Sequence, residues 1–152
     1  MGMDMDMGAG SDPLTIAEGV AEFVVLAELS TALSERLVGW STDGADPDSS
    51  AVMASLGARL AEHSTWWTER IAESVLLDGE RTTASASGSG RLAEVLGLLD
   101  VEGSDRTAAV VPVLERLMAY LGALTERLSP VGDAPARRTI RLVLADLEDR
   151  PR

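Results

Sequence analysis

The chain contains no cysteine, lysine, asparagine or glutamine, only one histidine, and aromatic residues at just 3%. Each absence removes a class of chemistry. Without cysteine there is no thiolate nucleophile, no thiolate zinc site and no disulfide framework, so composition carries no mark of redox compartment. Without lysine, Schiff-base catalysis and a phosphate-loop lysine are excluded. One histidine cannot supply a two-histidine metal motif within a single chain. No segment shows the strict alternation of a half-buried strand. Basic charge is also scarce: 13 arginines face 25 acidic residues, for a formal net charge of −12. Such a surface repels phosphate backbones and anionic lipid, which argues against nucleic-acid or membrane partners. No uninterrupted apolar run reaches the ~20 residues of a membrane span, so no membrane association is expected.

What is present is aliphatic. Leu, Ala and Val dominate an apolar content of 45%, which favours a helical core. With 152 residues the chain is long enough to bury that core as a single domain. The opening Met-Gly-Met-Asp-Met-Asp-Met-Gly-Ala-Gly carries no basic residue ahead of an apolar stretch, unlike a signal peptide. Residues 1–11 are therefore expected to be a disordered tail on a cytoplasmic protein whose domain spans 12–149.

Periodicity supplies the elements. Asp12-Pro13 is a helix-start signal, followed by Ile16, Val20, Phe23, Ala27, Leu33, Leu37 and Trp40 at helical spacing. Asp46-Pro47 repeats the signal, ahead of a second stripe on Met53, Leu56, Leu60, His63, Trp67 and Ile71. From Asp78 to Ser104 the sequence turns to Gly, Ser, Thr and acid, with one short helix expected over Arg91 to Leu99. The cleanest period in the chain then runs through Val110, Leu114, Leu117, Leu121, Leu124 and Leu128. A tight link capped by Asp133 leads to a last helix on Ala136, Ile140, Val143, Leu144 and Leu147. The expected fold is all-α: a four-helix bundle with one long crossover, residues 78–104, between helices two and three. Gly88-Ser-Gly-Arg-Leu-Ala93 within that crossover matches the dinucleotide pattern G-x-G-x-x-A. It lacks the preceding strand, so a flexible linker is the better account.

The segment Glu62-His-Ser-Thr-Trp-Trp67 ahead of a crossover, and the turn Pro130-Val-Gly-Asp-Ala-Pro135 before the last helix, resemble the ferritin-like superfamily, particularly small actinobacterial members. The lysine-free, arginine-only composition also suggests a GC-rich genome. The resemblance implies a bundle whose interior holds a Glu from each of two helices and a Glu-x-x-His pair from each of the others. This chain departs from that pattern, because Leu60 stands three residues before His63 and the last helix has no histidine. A di-iron centre is not implied.

A smaller cluster is conceivable. Folding the helices through their links sets His63 level with Glu28, Glu115, Met118 and Asp146. One imidazole and three carboxylates form a donor set for a single Mn, Fe or Zn ion. Each of those carboxylates also flanks an apolar stripe and can simply reach solvent, so no metal or other cofactor is expected. If the chain is catalytic, His63 is the natural general acid or base, oriented by Glu28 or Glu115, with the hydroxyl of Tyr120 nearby. Trp67 is expected to fill the core below His63. Trp66, turned about 100° away, then faces a different neighbour: the crossover, a subunit or a small apolar ligand. Trp40 and Met118 are further candidates for such contacts. These features point first to an accessory or binding protein without ferroxidase activity, a homodimer through a helical face with a protein partner or a small apolar or aromatic ligand. The second reading is a small-molecule enzyme of bacterial metabolism working through His63 in a Trp-lined cavity.

Overall fold

The computed structural model describes residues 12–71 and 77–149. Among the described residues it is helical, with no strand and five α-helices: the four expected for the bundle and, in place of the short helix expected over Arg91 to Leu99, a full-length one. They are α1 (Ile16–Thr42), α2 (Ser50–Glu69), α3 (Asp78–Leu98), α4 (Arg106–Thr125) and α5 (Ala134–Glu148). The tail expected over residues 1–11 lies outside the described residues.

Local chemistry sets the boundaries. Thr15, not Asp12, caps α1: its hydroxyl accepts from the Glu18 amide at 3.1 Å, and the Glu18 carboxylate accepts from the Thr15 amide at 3.2 Å. This reciprocal box satisfies two otherwise orphaned amides, an advantage that the earlier Asp-Pro pair lacks. The Asp46-Pro47 signal opens a 3₁₀ turn, Pro47–Ser49, which leads directly into α2. A second turn, Gly103–Asp105, leads into α4, and that helix continues through Pro112. Asp133 does stand at the N-cap of α5, although its carboxylate binds the amide of Ser129, at 2.8 Å, and not an amide of the helix.

The largest difference is α3. Its composition reads as a linker with a short helix, yet one continuous helix runs from Asp78. The hydroxyls of Thr82 and Ser87 bond back to the carbonyls of Asp78 and Thr83, at 3.1 and 2.8 Å, so these side chains join the helix instead of competing with it. Small residues also let α3 approach α1: a Cβ added at Gly88 would stand 2.9 Å from Cγ2 of Val25. Tertiary contact therefore overrides weak propensity.

The helix directions follow from cross-links. Ser34 donates to the Gly57 carbonyl at 2.6 Å and Ser64 to the Ala27 carbonyl at 3.0 Å, which makes α1 and α2 an antiparallel hairpin. The Leu14 amide reaches the Arg127 carbonyl at 3.1 Å, and Arg106 reaches the Trp40 carbonyl at 3.3 Å, so α4 runs antiparallel to α1. Arg59 on α2 binds the Asp146 carbonyl near the end of α5 at 2.8 Å. The opposite end of α2, at Trp66, faces the start of α5. Hence α2 and α4 point the same way, and α3 is the element that carries the chain back.

Every expected stripe from helices α1, α2, α4 and α5 supplies buried side chains to one core. Ile16, at 73% exposure, and Val20, which packs with Val24 and Ala84 in a smaller separate cluster, are the exceptions, and Ile71 and Leu144 are half-buried. Side chains such as Leu33, Leu37, Leu60, Leu114 and Leu121 are fully enclosed, each adding about 1.5–3 kcal/mol of transfer free energy. The segment Gly103–Thr125 is, by length and composition alone, apolar enough to cross a membrane, although Glu115 and Arg116 interrupt its apolar run. Here its stripe closes the core.

Candidate functional site

His63 is carried on α2 between Leu60 and Trp67, all three on the buried face, and it is 0% exposed. Its Nε2 lies 2.9 Å from Oδ2 of Asp146 on α5. The Trp66 ring lies against the imidazole at 5.2 Å between centroids, inclined by 37°. Burial pulls the His63 pKa below its ordinary value, against the opposing pull of the Asp146 carboxylate. The neutral ring therefore dominates near pH 7, with Nε2–H donating to Asp146. Nδ1 then carries the lone pair, and it is buried without a hydrogen-bond partner among the described residues.

Of the four groups expected around one point, the structure joins only His63 and Asp146. Glu28 turns to α3, where its Oε1 accepts from the Ser85 hydroxyl at 2.6 Å. Glu115 is on the exposed face of α4. The orienting role expected of Glu28 or Glu115 falls to Asp146. Among the described residues no three His, Asp or Glu side chains are grouped to hold a metal ion. For Glu28 the cause is α3, which lies along α1 and engages it through Ser85.

The tryptophans occupy three separate environments and do not line one cavity. Trp67 is 1% exposed and stacks on Phe23 with centroids 6.1 Å apart, the core role expected of it. Trp40 closes the far end of α1, with the Arg106 guanidinium 4.9 Å above its ring. Trp66 is half-buried and faces α5, in an open groove shared with Arg70, Pro135, Arg138 and Arg141. Met118 is half-buried against the main core. Tyr120 stands in a different groove altogether, one that His63 does not line.

That groove lies between α1, α3 and α4 and has a volume of about 190 Å³. Leu26, Leu29 and Leu33 of α1 form its floor, and Leu92, Val95 and Leu117 stand at its sides. It exists because α3 is drawn close to α1 at Ala84 and Gly88 but meets α4 at only a few positions. Arg91, Arg116 and Tyr120 are the polar residues that line it. Neither arginine forms a hydrogen bond or ion pair with another described residue.

Sequence reasoning missed these arginines, and it missed the clamp between Arg106 and Asp43. The Arg106 guanidinium meets both carboxylate oxygens of Asp43, and this holds the Asp43 pKa at about 2 while raising that of Arg106. A signal for the clamp was present: a cation at a helix start and an acid at a helix end each oppose the macrodipole, so each wants a partner. For Arg116 the signal was its position one turn before Tyr120, at the edge of the α4 stripe.

Compared with protein-family models, with curated proteins and with solved structures, the chain matches none.

Proposed function

We propose that this chain is a binding protein, a ferritin-like bundle without a di-iron centre, that holds a small apolar ligand in the groove between α1, α3 and α4. The observation that carries this reading is a separation. The chain's sole imidazole is fully enclosed and engaged with Asp146, whereas the groove is walled by aliphatic side chains and lies elsewhere. A general acid or base must come within hydrogen-bond reach of its substrate, and His63 lines none of the grooves described. An accessible apolar hollow with a few polar groups at its edge is the usual form of a ligand site. The ferritin-like assignment draws support from the two hairpins, α1–α2 and α4–α5, and from the shared direction of α2 and α4.

Methyl NMR with cyclohexane-saturated buffer tests the reading. Resonances of Val25, Leu29, Val95 and Leu117 should shift, while those of Leu60 and Val143 in the His63 layer stay in place. Shifts concentrated in the His63 layer would contradict it and favour the enzyme.

A further inference from the structure

The polar residues of the same groove define its occupant more closely, an inference that rests on the groove being a ligand site. We propose that it takes a small amphipathic acid, with an alkyl tail between Leu29, Val95 and Leu117 and a carboxylate held by the guanidinium groups of Arg91 and Arg116.

Three observations converge. The walls are branched aliphatic side chains, with Tyr120 the sole aromatic, so they suit a flexible tail better than a flat ring. The volume of about 190 Å³ is below that of a drug-sized pocket, so it suits a short chain and not a bulky ring system. Charge then fixes the other end. Arg36, Arg59, Arg106 and Arg127 are each paired with a carboxylate of the chain, whereas Arg70, Arg138 and Arg141, which share the more polar Trp66 groove, form no ion pair with another described residue. Arg91 and Arg116 come from different helices to one apolar hollow and have no such pair, although acids outnumber arginines 25 to 13. Glu22 shares the adjoining groove with Arg91 and feels its charge, but no ion pair forms between them. Two guanidinium groups can bind one carboxylate through charge-assisted hydrogen bonds, with the Tyr120 hydroxyl as a further donor.

Calorimetric titration of the full chain with octanoate, octan-1-ol and octylamine tests the proposal. Octanoate should bind roughly ten- to a hundredfold more tightly than octanol, the range expected for hydrogen bonds to a charged group. The R91Q/R116Q double variant should abolish that preference and leave octanol affinity unchanged. Raising salt to about 0.5 M should weaken octanoate but not octanol, a readout on the native chain that does not depend on the variant folding. The groove-filling change Val95→Phe should abolish binding of both. Equal affinity for octanol and octanoate, or a preference for octylamine, would overturn the acid while leaving the groove as a ligand site. Failure of all three to bind, with no methyl shift in cyclohexane, would overturn the groove itself.

Discussion

His63 shows how one residue type supports two opposite readings. Periodicity placed it inward, and it is enclosed; the same periodicity could not choose among Glu28, Glu115 and Asp146 as its partner. That choice depends on helix offsets of a single turn, and on α3 drawing Glu28 away through Ser85. The consequence for stability has a definite sign. Burial lowers the folded-state pKa of His63 below its unfolded value of ~6.5, so the unfolded chain binds the extra proton first as pH falls. The contribution is fully present above about pH 6.5 and is lost progressively below it. Urea denaturation of the native chain should therefore show stability declining from pH 7.5 to 5.5, and His63→Gln should flatten that slope. A slope unchanged in the variant would mean that His63 is not the titrating group. His63→Ala, which leaves a cavity in the core, should cost about 2–4 kcal/mol at pH 7.5.

Helices differ in how openly their sequences declare them. Four of the five carry stripes that fold into the core with few departures, because burial of Leu and Val at helical spacing is itself what forms them. By contrast, the first half of α3 is rich in Gly, Ser and Thr with little apolar face, and contact with α1 through Ala84 and Gly88 supports it as helix. Substitution separates those two influences. At Gly90 a Cβ meets open space, so Gly90→Ala should raise stability by about 0.4–1 kcal/mol through helix propensity and a less flexible unfolded chain. At Gly88 the side chain would press on Val25, so Gly88→Val should cost about 1–3 kcal/mol and loosen α3, seen as faster amide exchange along Asp78–Leu98. At the opposite end of the molecule, Arg106 and Asp43 join the close of α1 to the start of α4. The Asp43 pKa of about 2 is depressed from an unfolded ~3.9, so its stabilisation is present above about pH 4 and is lost as pH falls toward 2. Acid titration of Asp43→Asn should show a shallower loss of stability across that window.

At the scale of the whole molecule, α3 decides both what the bundle cannot do and what it can. By engaging Glu28 it draws one carboxylate away from His63, whose partner is Asp146, and by standing off from α4 it leaves an aliphatic hollow edged by two unpaired arginines. The nearness of Asp146 to His63 was legible from the stripes, and the α3 wall of the hollow falls in residues 91–99, which read as a short helix. What was not legible is that this helix begins at Asp78 and lies along α1. Binding at the groove should also stabilise the fold by mass action. Octanoate at about a hundred times its dissociation constant should add about 2.7 kcal/mol, measurable as a rise in Tm that Val95→Phe removes. The central claim is that the accessible apolar volume lies between α1, α3 and α4, and not around the imidazole. Xenon pressurisation of crystals of the full chain measures this directly. The account predicts a xenon atom between Leu29, Val95 and Leu117; xenon seated against His63, with that groove empty, would contradict it.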